Sequence, residues 1–143
     1  MIKRNLLITK HLNMIKLKHN KPQIYDRLKK HFNIDWDNGI IITYGNNVYC
    51  KYEIPFHLEI HEEVHIKQQN AYGPEQWWDR YISDPQFRLE QEREAYLKQA
   101  IWVKANIKDR NEKYRILNKI VLDFSSGIYG NIITREEASK LIK

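Results

Sequence analysis

A chain of 143 residues, 42% of them hydrophobic, can bury roughly 68–70% of the surface that its unfolded form exposes, so one domain with its own core is expected without a covalent staple. A single cysteine, Cys50, excludes an internal disulfide and reads as an ordinary reduced thiol. The net charge of +6 sits at the front: residues 1–31 hold nine Lys or Arg against Asp26, which is +8, leaving −2 for residues 32–143.

Residues 1–21 mix charged and apolar residues without clean periodicity and are expected to form a basic N-terminal arm or short helix. The apolar run Leu6-Leu7-Ile8 behind Lys3-Arg4 is too short for a secretory signal, and no window approaches the roughly eighteen apolar residues of a membrane span. No interleaved aromatics or nucleic-acid motif accompany the positive charge, so nucleic acid is not an expected partner. Pro22 opens the remaining unit, residues 22–143, which is expected to be a single domain. Ile24, Leu28 and Phe32 recur every four residues and predict a helix over 23–32. Asp37-Asn38-Gly39 is a turn signal, followed by a strand over 40–44, a reversal at Gly45-Asn46-Asn47 and a second strand over 48–51.

Beyond Pro55 a helix is expected over 57–69, with Leu58, Ile60 and Val64 as packing residues and Gly73-Pro74 as its stop. A short helix over 74–82 carries Trp77, Trp78 and Tyr81. These aromatics are expected mostly in the core, with one tryptophan facing inward and the other outward. Asp84 and Pro85 supply an N-cap and a first residue for a helix running past Trp102, and another helix covers 110–124. Thr134 and Glu137 form a capping box at the head of a short final helix. The fold class is therefore α+β: a small β-hairpin sheet packed on the 57–69 helix, with a mainly helical C-terminal part.

The chemistry lies in His61-Glu62-Glu63-Val64-His65. Histidines four apart on a helix share a face about one turn from each other, so both imidazoles can reach one metal with Glu62 beside them as general base. A hydrolytic zinc wants three protein ligands and an open position for water, so a third ligand must come from elsewhere. Glu90, Glu92 and Glu94 compete for the place. They stand in steps of about 200° around their helix, so only one faces the motif. His57, four residues before His61, is assigned a noncatalytic role, because three histidines at successive turns drift around the helix. Arg88, Glu92 and Tyr96 share a face, which makes Arg88 a candidate partner for the Glu92 carboxylate, and Tyr96, Tyr81 and Arg88 are candidates for an oxyanion donor. Gln68 and Gln69 are expected either to fix a ligand carbonyl or to cap the helix end.

His61-Glu-Glu-Val-His65-Ile-Lys-Gln-Gln69, Gly73, Trp77-Trp78, Tyr81, Phe87-Arg88 and Glu92-Arg-Glu-Ala95-Tyr96 together resemble zincin metallopeptidases of the gluzincin type, similar to small proteins encoded by bacteriophages. Ser125-Ser-Gly-Ile-Tyr-Gly130-Asn131, with Thr134 and Ala138, extends the likeness over residues 40–143. Gluzincins of this kind carry the third ligand three residues before the alanine of an E-x-x-A-(D/Y) segment, which maps onto Glu92; Tyr96 stands where many relatives have Asp. The resemblance implies Zn2+ held by His61, His65 and Glu92, a metal-activated water with Glu62 as base, and a peptide or protein as substrate. It also implies a phage setting, in the bacterial host cytoplasm or in the virion. Its alternative is a noncatalytic, zinc-stabilised component of a phage particle, docked on phage structural proteins through the basic arm.

Overall fold

Gly45, at φ +61, begins a two-residue turn that brings Tyr44 opposite Asn47, and a glycine with positive φ at this first central position suits the tight turns that match strand twist. In the computed structural model, which describes residues 15–143, this turn joins β2 (Ile42–Tyr44) to β3 (Asn47–Tyr49). A third strand, β1 (Lys16–Lys18), pairs parallel to β3, giving the order β1-β3-β2. The sheet is thus one strand larger than the expected hairpin. Residues 1–14 of the expected arm lie outside the described residues; the part from Lys16 to Lys18 is strand rather than arm or helix. Leu17 turns inward between two exposed lysines and meets Val48 across the ladder, a three-residue alternation too short to register as periodicity.

Six α-helices are present among the described residues: α1 (Tyr25–Lys29), α2 (Phe56–Tyr72), α3 (Pro74–Ser83), α4 (Pro85–Asn106), α5 (Arg110–Phe124) and α6 (Arg135–Ile142). α1 is shorter than the 23–32 expectation. Its leading end has no side-chain cap, and a helix of this length depends on packing rather than propensity. Asp84 caps α4 by accepting from the amides of Gln86 and Phe87, and the Thr134–Glu137 capping box is in place at α6.

α2 runs along α4 and under β2. One core cluster fills the space between α4, α5 and α6 around Val103, Phe124 and Ile142. Another gathers Trp77, Trp78, Tyr81 and Phe87 against Tyr25, Leu28, Trp36 and Ile42. Tyr129 packs against both. Trp77 and Trp78 are both buried, contrary to the inward-and-outward expectation. α3 is packed on two sides, so adjacent positions about 100° apart both find cover. Among the described residues, no helix is long and apolar enough to cross a membrane.

Candidate metal centre

The inward face of α2 is polar: His61, Glu62, His65 and Gln69 are all buried. Burying ionisable groups is costly unless each finds a compensating partner. α4 brings Glu92 to them. Its Oε1 lies 3.2 Å from His61 Nε2 and 3.2 Å from His65 Nε2, and the two Nε2 atoms are 3.1 Å apart. Nitrogen and oxygen ligands at about 2.0–2.1 Å from a tetrahedral zinc stand about 3.3–3.4 Å from one another. The three groups therefore fit one such ion with little adjustment. Glu90 and Glu94, the other two carboxylates of the segment, are exposed.

The atoms behind the ligands decide what the triangle presents. The Gln68 amide nitrogen faces two acceptors, the Gln91 carbonyl at 3.1 Å and the Glu94 carboxylate at 3.3 Å. Its oxygen is thereby left to His65 Nδ1, 2.8 Å away, and a carbonyl oxygen only accepts, so Nδ1 carries the proton. Gln99 does the same for His61: its nitrogen donates to His57 Nδ1 at 2.8 Å and its oxygen accepts from His61 Nδ1 at 3.0 Å. Tyr81 donates to the second oxygen of Glu92 at 2.7 Å. With these outer bonds made, each neutral imidazole points an Nε2 lone pair at the same spot as the Glu92 Oε1 lone pairs. Three converging acceptors repel one another until a cation sits among them.

Without a metal, a proton fills that need. Burial depresses His65, but the adjacent Glu92 carboxylate outweighs it and the imidazole is raised to about 9. Burial raises Glu92, yet His65 and His61 hold it well below the usual carboxylate range. A metal has to displace the His65 proton, so affinity for a cation rises with pH up to about 9.

Glu62 stands beside the triangle without belonging to it. Its Oε1 accepts from the Thr43 hydroxyl at 3.0 Å, and its Oε2 is 3.9 Å from His61 Nε2. Burial pushes its carboxyl up, a shift the two neighbouring histidines only partly offset. A cavity of about 60 Å³ adjoins these groups, lined also by Phe32, Trp78, Ile128 and Tyr129. That is room for several waters.

Several sequence expectations are corrected. Arg88 does not pair with Glu92; it is buried and donates to the carbonyls of Tyr129, Tyr81 and Ile82 at 2.9, 2.7 and 3.2 Å. It ties the cavity-lining residues Tyr81 and Tyr129 together from behind, and it does not itself line the cavity where an oxyanion would form. Gly130 sits against it with φ +80, where an added Cβ would come within 3.3 Å of the guanidinium. Gln69 does not close the helix end. It binds the sheet, accepting from the Gly45 amide at 2.7 Å and donating to the Thr43 carbonyl at 2.8 Å. The sequence reading missed the roles of Thr43, Gln99 and Tyr129; only the likeness around Ser125–Asn131 flagged the segment that carries Tyr129. No protein-family model matches the chain, and neither does any curated protein or solved structure.

Proposed function

We propose that the chain is a zinc-dependent peptidase, with zinc held by His61, His65 and Glu92 and Glu62 as the general base. The observation that carries the reading is the convergence of three lone-pair donors, set 3.1–3.2 Å apart, with Glu62 Oε2 3.9 Å from His61 Nε2 and a small cavity beside them. A zinc ion bound there supplies Lewis acidity and lowers the pKa of a bound water to near 7.

The residues around it divide the remaining work. Glu62 Oε2 takes a proton from the attacking water and hands it to the leaving nitrogen. Tyr81 and the two glutamines hold the ligands in orientation. The Tyr96 and Tyr129 hydroxyls are 2.5 Å apart. When Tyr96 donates, the Tyr129 proton is free to meet an oxyanion from the cavity wall, and accepting one bond strengthens the one it makes.

A closed, purely structural metal site calls for a fourth protein ligand. His57 is turned to Gln99, Glu62 is tied to Thr43, and among the described residues the only group placed to share an ion is His61, His65 and Glu92. This favours the hydrolase over the structural alternative. A peptide or protein substrate and a phage setting are supported by the motif likeness.

The test is hydrolysis of a mixed fluorogenic peptide library by the full chain when zinc-loaded, stripped and reloaded. Cleavage should vanish on stripping and return on reloading. Cleavage that persists in protein shown to be metal-free would defeat the proposal.

A further inference from the structure

Ile40-Ile41-Ile42-Thr43-Tyr44 is an apolar, β-branched run with one aliphatic hydroxyl in it. Thr43 is 2% exposed, and a buried hydroxyl needs a partner. Its partner is Glu62, and because a carboxylate only accepts, the hydroxyl donates to Oε1. The backbone behind that hydroxyl is held from several sides. The Thr43 carbonyl accepts from Gln69 Nε2 at 2.8 Å and from Trp78 Nε1 at 3.1 Å, and Thr43 pairs with Val48 in the ladder. Gln69 and Glu62 lie seven residues apart on α2 and so share a face. One helix thus holds the strand at one end and receives its hydroxyl at the other.

We infer that Thr43 is the positioning residue for Glu62. It occupies Oε1, which leaves Oε2 as the oxygen that takes the proton. It also restrains the carboxylate from rotating toward His61, His65 and Glu92, where it would become a further ligand and close the centre. This rests on the hydrolase reading for its catalytic half; the restraint on the carboxylate stands on geometry alone.

The experiment compares Thr43→Val and Thr43→Ala, which lose the hydroxyl, with Thr43→Ser, which keeps it, all as full-length zinc-loaded protein. Readouts are zinc content, kcat and KM on a peptide cleaved by the unsubstituted chain, and the Glu62 position in crystals. The Val and Ala chains should keep one zinc and their KM while kcat falls about 10- to 100-fold, a part of the roughly 10²–10⁴ that a positioned base contributes. Their Glu62 carboxylate should leave its place beside the strand. Ser should restore both rate and position. Unchanged kcat with Glu62 unmoved in the Val and Ala chains would overturn the inference, as would a Ser chain as slow as they are. If the unsubstituted zinc-loaded chain cleaves no peptide, it is the hydrolase reading that fails, and the Glu62 position in the Val crystals still decides the restraint.

Discussion

Glu62→Gln is expected to retain one zinc per chain and to lose about 10²–10⁴ in kcat. The amide has nearly the volume of the carboxylate, and its oxygen can still accept from Thr43 at the place where Oε1 now lies 3.0 Å from the hydroxyl. What it lacks is a basic atom where Oε2 stands. The substitution also removes a buried carboxyl whose charged form is disfavoured by burial and by Glu92, so the melting temperature should hold or rise, as expected where activity keeps a group that stability does not want. Steady-state kinetics with metal analysis and thermal melts check all three outcomes. A Gln chain that hydrolyses peptides at the original rate removes Glu62 as the base.

Glu92→Ala is expected to release zinc, with a loss of affinity larger than the about 10- to 100-fold that follows removal of an outer partner. Glu90→Ala and Glu94→Ala should bind as tightly as the unsubstituted chain to within that outer-partner range, since both side chains are exposed and only Glu94 touches the outer ring, through Gln68. The effect on folding should differ as sharply. Glu92→Ala leaves the buried Tyr81 hydroxyl without its acceptor and His65 without the carboxylate that keeps it charged. Removing one partner of a buried pair costs about 3–5 kcal/mol, whereas exposed carboxylates of this kind are worth about 0–1 kcal/mol. Zinc competition against a chromophoric chelator and denaturant unfolding measure the two effects. Tight binding by Glu92→Ala with release by Glu90→Ala or Glu94→Ala would assign the wrong carboxylate.

Local rules carried the elements whose signals are local. The span 110–124, the Asp84-Pro85 start and the Thr134–Glu137 box all depend on residues within a few positions of each other, and α5, α4 and α6 begin where those signals stand. The pairing of His61 with His65 follows from helical period alone. The choice among Glu90, Glu92 and Glu94 was not local: period separates their faces but does not say which face meets α2, and only the likeness to E-x-x-A-Y segments singled out Glu92. In the fold, Glu92 is the buried one.

The features that escaped are those made by distant segments meeting. β1 pairs with a strand some thirty residues away, and nothing near Leu17 announces it. Thr43 looks like any β-branched strand residue until Glu62 arrives beneath it. The i,i+4 rule pairs Arg88 with Glu92, but the last turn of α3 and the segment at Tyr129 offer it three carbonyls. For a buried guanidinium these outcompete a carboxylate already engaged by two imidazoles and a phenol.

The most direct test is a crystal of zinc-incubated protein measured at the zinc absorption edge. The account predicts one ion within about 2.0–2.2 Å of His61 Nε2, His65 Nε2 and a Glu92 oxygen, with a water as its remaining ligand and Glu62 Oε2 within reach of that water. No ion at that point, or an ion closed by a fourth protein side chain such as Glu62 or His57, would contradict it.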